Sequence, residues 1–91
     1  MERSLTIGLR GVVAAGLGRS SVELSVSADG VAMSDLLRLA VGVEPRLERY
    51  LALRKTGQLR TIVNGRTISA GDDPTVYDSD AIVLLAAVAG G

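Results

Sequence analysis

The sequence predicts an α+β fold in which a mixed sheet of four to five strands packs on one main helix. Three observations lead to this prediction. Apolar and polar residues alternate over residues 5–10 and again over 22–27, which is the period of a strand with one buried face. Apolar residues recur at helical spacing over residues 33–41. The run 81–88 is apolar on both parities, as in a strand at the centre of a sheet.

The first two strands are expected at about residues 4–10 and 22–27, where they would form an opening hairpin. Between them lies a glycine-rich connection, residues 11–18, which we predict to be a long and flexible loop. Because the last strand is expected to be buried, it should be central, lying beside the first strand and parallel to it. The order of elements places one helix layer on one sheet.

The main helix is predicted to follow a turn at Asp29-Gly30. It should begin near Met33 or Ser34 and be interrupted at Gly42. Pro45 suits the first turn of a second, short helix. The apolar face of this short helix consists of Leu47, Tyr50 and Leu51. Its charged side is expected to be solvated and consists of Glu44, Arg46, Glu48 and Arg49.

The third strand is predicted over residues 59–63. It is followed by Asn64-Gly65, the strongest two-residue hairpin signal in the chain. The chain would return over residues 67–69, and a loop over residues 71–80 would then lead into the last strand.

Composition limits both the size and the chemistry of the protein. With 91 residues, 47% of them hydrophobic, we predict one domain, residues 1–89, and a flexible diglycine tail, residues 90–91. Ten basic and ten acidic residues cancel and only two residues are aromatic, so neither nucleic acid nor a membrane is expected as a partner. The lack of Cys and His excludes thiolate nucleophiles, imidazole bases and metal sites built from them. The N-terminal segment lacks signal-peptide features, which predicts a cytoplasmic protein.

Three further signals have simpler explanations. Residues 11–20 are glycine-rich but lack the Gly-Lys-Ser/Thr ending of a phosphate-binding loop. Lys55 is the only lysine, so linked copies of the chain could use at most one internal attachment site. Four aspartates lack the spacing of a calcium-binding EF-hand loop and are expected to cap turns instead. They are Asp72, Asp73, Asp78 and Asp80.

The sequence closes on Gly90-Gly91, directly after the apolar run. Glycine has no Cβ, so a diglycine can thread a narrow channel that a side chain would block. An α-carboxyl has a pKa of about 3.5 and is therefore an ionised, unreactive acyl group at neutral pH. The Gly91 carboxylate is a candidate working group that a partner must activate. The alternative is a frayed terminus without function.

Segments in the last third of the chain resemble a known family. They are Val63-Asn64-Gly65, the acidic turn Asp78-Ser79-Asp80-Ala81-Ile82, and Val88-Ala89-Gly90-Gly91. The chain resembles the ubiquitin-like sulfur carriers, which include the thiamine sulfur carrier and, most similar here, the small subunit of molybdopterin synthase. The resemblance implies a β-grasp fold. In one departure, Leu84-Leu85 and Ala86-Ala87 stand where the molybdopterin subunit commonly has aromatic residues and a proline pair. This departure leaves the pathway open.

The resemblance also implies a chemistry for the tail. An adenylating enzyme of the ubiquitin-activating type would use ATP and magnesium to form an acyl-adenylate on Gly91, and sulfur would displace AMP to leave a thiocarboxylate. Val88, Ala89 and Gly90 would carry this group to a sulfur acceptor. In the most specific form of this prediction, the acceptor is bound in the larger subunit of molybdopterin synthase. The chain itself would bind no cofactor and no metal. It would be a protein co-substrate and not an enzyme.

Two other functions stay open on the sequence. The chain could be a ubiquitin-like modifier that is joined through Gly91 to lysines of target proteins. It could also be a β-grasp interaction module in which the diglycine is incidental.

A docking surface for the partner is expected beside the tail. Only one parity of the last strand can face the helix, and the other parity would leave an apolar patch. We predict that Leu85 and Ala87, together with Val83, face outward and contact the partner. The alternative is that residues 11–18 cover them.

Overall fold

The computed structural model describes residues 2–86 and has an α+β architecture with helices on one face of a mixed five-stranded sheet. The strands are β1 Glu2–Gly11, β2 Ser21–Ser27, β3 Val31–Ala32, β4 Leu59–Val63, β5 Arg66–Ile68, β6 Thr75–Val76 and β7 Ile82–Ala86. The helices are α1 Val12–Leu17, α2 Met33–Val43 and α3 Glu48–Leu51. Short 3-10 turns flank α3 at Pro45–Leu47 and Ala52–Arg54.

The sheet has the strand order β2-β1-β7-β4-β5. β7 lies at its centre, parallel to β1 and antiparallel to β4, which confirms the predicted place and direction of this strand. Asn64 and Gly65 join β4 to β5 as predicted, with φ of 52° and 82°. Positive φ at both positions matches the right-handed twist of a two-residue hairpin.

The core lies between the sheet and α2, which begins at Met33 as predicted. Alternate residues of β1, β2 and β7 point into it, because successive side chains of a strand face opposite sides. The largest apolar side chains with no more than 2% exposure are Leu5, Ile7, Leu9, Met33, Leu36, Leu47, Ile82 and Leu84.

No helix within residues 2–86 combines the length and the apolar character needed to cross a membrane.

The connection between the first two strands is a helix, so the prediction of a flexible loop over residues 11–18 is wrong. α1 buries Val13 and Leu17, which are four residues apart and therefore share one face. Gly18 ends the helix in the left-handed conformation, and its N–H donates to the Ala14 carbonyl at 2.9 Å. Of the glycines that suggested a loop, Gly11 and Gly18 flank the helix and Gly16 lies within it. Burial of Val13 and Leu17 stabilises the helix despite this glycine.

Two further predictions are wrong, one about the main helix and one about the loop before the last strand. Gly42 does not interrupt α2, which continues to Val43. A glycine inside a helix costs about 1 kcal/mol, and burial of Leu36, Leu37 and Ala40 on the other face of α2 outweighs this cost. In addition, the predicted loop over residues 71–80 contains β6, which pairs with β3. A two-residue strand is too short to show a period in the sequence.

Glu44 is buried, although we predicted it to be solvated. The residue is 6% exposed, and its carboxylate accepts hydrogen bonds from Nε and Nη2 of Arg46 at 3.1 and 2.8 Å. Arg46 Nη2 also donates to the Leu17 carbonyl at 3.2 Å, and Arg19 Nη1 lies 3.7 Å from Glu44 Oε1. The cluster therefore ties the end of α1 to the turn after α2.

This cluster predicts a specific sensitivity to acid. The hydrogen bonds from the Arg46 side chain lower the pKa of Glu44 from its ordinary 4.5 to about 2. Because the unfolded chain takes up the proton first, this stabilisation is complete above pH 4.5 and is lost as the pH falls toward 2. In the Glu44→Gln variant, we expect the free energy of unfolding to fall less steeply over this range. Urea denaturation at several pH values measures it.

Glu48→Gln is the matched control for this prediction, since it removes an exposed carboxylate four residues away. If Glu44→Gln and the wild type lose stability with the same slope between pH 4.5 and 2, Glu44 is not an acid-sensitive group of the fold.

Candidate functional site

The candidate site begins at the end of the sheet from which the C-terminal residues continue. β1 ends at Gly11 and β4 begins at Leu59, and both of these residues lie opposite Ala86. Each of the two strands that pair with β7 therefore has one of its ends opposite Ala86. The predicted docking residue Ala87 lies outside the described residues, as do the predicted tail residues Val88, Ala89 and Gly90 and the predicted reacting residue Gly91. The roles assigned to them remain predictions. Five residues span at most about 18 Å when fully extended.

Gly11 fixes the geometry of this sheet end. Its φ of 67° and ψ of −139° belong to a region that is essentially restricted to glycine. A Cβ at this position would also lie well inside contact distance of the Ala86 carbonyl oxygen. Gly11 thus lets β1 turn into α1 while staying against β7. Sequence reasoning counted Gly11 only as part of a loop and missed this role.

The structure separates the two parities of the final strand. Ile82, Leu84 and Ala86 are buried in the core, whereas Val83 and Leu85 are half-buried on the opposite face of the sheet. We call this opposite face the outer sheet face. α1 directs its own apolar residues into the core rather than across this face. Val83 and Leu85 therefore face away from the core, and their contact with a partner stays a prediction.

The outer sheet face is apolar along its middle and basic near the tail. Leu85 is paired with Arg10 on one side and with Arg60 on the other, and both arginines are exposed. Val83 is paired with Gly8 and Ile62 in the same way. Sequence reasoning missed both arginines, because only the pairing register shows that they flank Leu85.

A hydrogen-bond network holds the β4–β5 hairpin against the start of β7. Asn64 Oδ1 accepts from the N–H of Ala81 at 2.8 Å, and Asn64 Nδ2 donates to Asp80 Oδ1 at 3.0 Å. The other oxygen of Asp80 accepts from the Tyr77 N–H at 2.8 Å. The hydrogen bond from the Asn64 side chain, followed by that from Tyr77, lowers the pKa of Asp80 below its ordinary value. The two family-like motifs around residues 64 and 80 are thus a single structural unit.

Substitution of Asn64 should show how much this network contributes. Asn64→Ala removes both side-chain hydrogen bonds. It also leaves at positive φ a residue whose side chain, unlike that of Asn, cannot stabilise this conformation by hydrogen bonding. We therefore expect a loss of about 2 kcal/mol in the free energy of unfolding. Asn64→Gly removes the same hydrogen bonds but accepts the positive φ, and it should cost about 1 kcal/mol. Equilibrium urea denaturation measures both values. Equal effects of the two variants would contradict the assigned role of backbone conformation.

The aspartates of the acidic loop bind backbone and side-chain donors. Asp73 accepts from the Ser34 N–H at 2.7 Å and from its hydroxyl at 2.9 Å, and so caps the first turn of α2 from outside the helix. These two hydrogen bonds lower the pKa of Asp73. Within residues 2–86, no group of three or more His, Cys, Asp or Glu residues is arranged to hold a metal ion. The predicted turn-capping role is confirmed for Asp80, whereas Asp73 caps a helix.

No known protein family and no curated protein matches the chain, but solved structures do. The crystal structure of small archaeal modifier protein 1 (SAMP1) from Haloferax volcanii is similar with a TM-score of 0.72 and 24% identity, covering 98% of this chain and 100% of that chain. The solution structure of SAMP1 from Methanosarcina acetivorans has a TM-score of 0.72 and 22% identity, covering 100% and 99%. This chain has the β-grasp fold.

A second crystal structure of the Haloferax volcanii protein gives a TM-score of 0.68 at 21% identity and covers 93% of this chain and 98% of that chain. The likeness therefore extends over nearly the whole length of each protein. At these identities it establishes the fold, and it confirms the β-grasp architecture that the resemblance to ubiquitin-like carriers implied.

Proposed function

We propose that this β-grasp protein is a carrier that works through the carboxylate of Gly91. The observation that carries the proposal is that both neighbours of β7 stop opposite Ala86. Five residues follow Ala86 in the sequence, and the last two are Gly90 and Gly91. In this proposal, the tail leaves the sheet at this level, so that a partner enzyme reaches its carboxylate without opening the fold.

The proposed reaction has four steps. The Gly91 carboxylate attacks the α-phosphorus of ATP in an adenylating enzyme, which releases pyrophosphate and leaves an acyl-adenylate. A sulfur nucleophile then attacks the acyl carbon and expels AMP, which leaves a thiocarboxylate. The thiocarboxylate sulfur next bonds to an electrophilic carbon of an acceptor, in the most specific form of the proposal a molybdopterin precursor in a larger synthase subunit. Water finally cleaves the bond between the acyl carbon and sulfur, which leaves the sulfur on the acceptor and regenerates the Gly91 carboxylate. The lack of Cys and His in the chain is compatible with this scheme, because the partners supply the nucleophile and any acid–base groups.

The direct test is a mass measurement on the intact protein. Incubation with a ubiquitin-activating-type adenylating enzyme, ATP, magnesium and a sulfide source should raise the mass by the replacement of one oxygen by sulfur. Omission of ATP should abolish the change. If no mass change occurs with any of several adenylating enzymes that thiocarboxylate their own carriers, the proposal fails.

We further propose that the outer sheet face docks on the adenylating enzyme. Leu85 lies between two exposed arginines next to the tail, so the complementary surface on the enzyme would be apolar with acidic residues at its edge. Leu85→Asp should lower kcat/KM for adenylation at least about tenfold, because it removes the apolar contact and places a carboxylate between Arg10 and Arg60, where it competes with the acidic residues of the enzyme.

Leu39→Asp is the control for the Leu85 variant. Leu39 is 46% exposed on α2, on the other side of the sheet, and undergoes the same chemical change. Pyrophosphate release measures adenylation of both variants, and circular dichroism checks that both are folded. An equal loss of activity in the two variants would contradict docking through the outer sheet face.

A second candidate function is supported by the names of the similar structures, which are modifier proteins. In this alternative, the activated Gly91 carboxylate forms an isopeptide bond with a lysine of a target protein. Because no Lys or Arg follows Arg66, trypsin would leave residues 67–91 attached to the target lysine. A peptide search that includes this long remnant distinguishes conjugation from sulfur transfer, since only conjugation produces it.

A further inference from the structure

A groove in the helix layer lies away from the outer sheet face. It has a volume of about 380 Å³. Its floor is aliphatic and combines Leu37 and Val41, one turn apart on α2, with Leu51 of α3. The remaining lining residues are Ser34, Arg38, Glu48, Arg54, Lys55 and Ala70. None of these residues belongs to the sheet end or to the proposed docking face.

The charged groups of the groove are predominantly basic. Arg38, Arg54 and Lys55 line it together with one acidic residue, Glu48. Arg38 is bound to Asp35 at 3.1 Å, but none of the ion pairs within the described part of the chain includes Arg54 or Lys55. The groove therefore presents two cations without a salt-bridge partner beside an apolar floor.

Arg54 has a further feature that requires an explanation. Its Nη2 atom is buried and has no hydrogen-bond partner within residues 2–86. Asp73, at the same end of the molecule, is hydrogen-bonded to Ser34 and not to Arg54. A buried donor without an acceptor is costly, and a guanidinium offers two parallel N–H groups that fit a carboxylate. Because Arg54 also lines the groove, a carboxylate bound there would give its guanidinium an acceptor once the side chain turns toward the groove.

We propose that this groove binds an acidic–aliphatic peptide segment of a partner protein. An aliphatic side chain of the peptide would pack between Leu37, Val41 and Leu51, and a neighbouring Asp or Glu carboxylate would accept hydrogen bonds from Arg54 and Lys55. The apolar floor disfavours a polyphosphate or nucleic acid, which needs cations or aromatic faces throughout its site. Because the groove and the outer sheet face lie on different sides of the sheet, the protein can bind this segment and an adenylating enzyme at the same time.

The test is a two-dimensional ¹⁵N–¹H NMR titration of the full chain. The probe is the blocked tetrapeptide acetyl-Leu-Glu-Leu-Glu-amide, and its neutral match is acetyl-Leu-Gln-Leu-Gln-amide. We expect the acidic peptide to shift the amide signals of Val41, Leu51 and Lys55, and the neutral peptide to bind at least about tenfold more weakly. Shift changes confined to the outer sheet face, equal binding of both peptides, or no change at about 5 mM peptide would overturn the proposal.

Two variants complete the test. Arg54→Gln should weaken binding of the acidic peptide at least about tenfold, whereas Arg49→Gln, which removes an exposed arginine outside the groove, should leave it unchanged. Equal binding by the Arg54 variant would overturn the assignment. Concentration-dependent shifts at the groove without peptide would identify a second copy of this chain as the occupant instead, which also overturns it. Thiocarboxylate formation by the Arg54 variant should be normal, so the groove and the tail chemistry can fail independently.

Discussion

Deletion of Gly90-Gly91 is expected to lower thiocarboxylate formation more than about 100-fold. The deletion leaves Ala89 as the last residue, and its carboxylate falls short of the adenylating centre by about 7 Å, the length of two extended residues. Displacements of even 1 Å from the reactive geometry can cost about 100-fold in rate. Intact-mass analysis after incubation with the adenylating enzyme, ATP and sulfide measures the product.

The fold provides the control for the deletion. Glycine has no side chain that could pack in a core, so loss of the pair should change the free energy of unfolding by less than about 0.5 kcal/mol. A folded but inactive deletion variant supports the carrier function. A deletion variant that keeps its activity would instead identify a β-grasp interaction module, in which the diglycine has no chemical role.

Gly11→Ala is expected to cause a large loss of stability, larger than that of Gly18→Ala. The new Cβ would meet the Ala86 carbonyl oxygen, and the residue would be held in a backbone region that is essentially restricted to glycine. We expect a loss of about 3 kcal/mol in the free energy of unfolding, which corresponds to a fall in Tm of more than about 12 °C for a domain of this size. Urea and thermal denaturation measure the two quantities.

Gly18→Ala is the matched control for Gly11. Gly18 also has a φ of 67°, but its ψ is 26°, and a Cβ there would meet no atom within 4 Å. This variant should lose only about 1 kcal/mol, the cost of the left-handed conformation alone. The difference between the two variants measures the contact with Ala86 together with the cost of the glycine-restricted backbone conformation at residue 11. If the two losses are equal, close approach of β1 to β7 does not limit residue 11.

Much of the fold was predictable because it depends on local patterns. Alternation identified β1 and β2, helical spacing identified α2, and the Asn64-Gly65 pair identified the hairpin between β4 and β5. The apolar run on both parities also predicted a central last strand. Each of these signals lies within a few residues of the chain, where the strand or helix period directly relates sequence to burial.

The missed features depend on contacts between distant segments. α1 exists because the core accepts Val13 and Leu17, which outweighs the glycines around them. Glu44 is buried because Arg46 and Arg19 surround its carboxylate, and no local pattern distinguishes it from an exposed glutamate. β6 forms only because β3 is next to it. These features follow from packing, which can override local propensity.

For the candidate site, the sequence by itself determined the diglycine end, the absence of Cys and His, and the apolar final strand. The tertiary structure decided which side of that strand faces outward, since a one-residue shift in register exchanges the two faces. It also placed Arg10 and Arg60 on either side of Leu85, and ended both neighbouring strands opposite Ala86. A sequence records which groups are present, but register and packing between distant strands decide which of them meet at one surface.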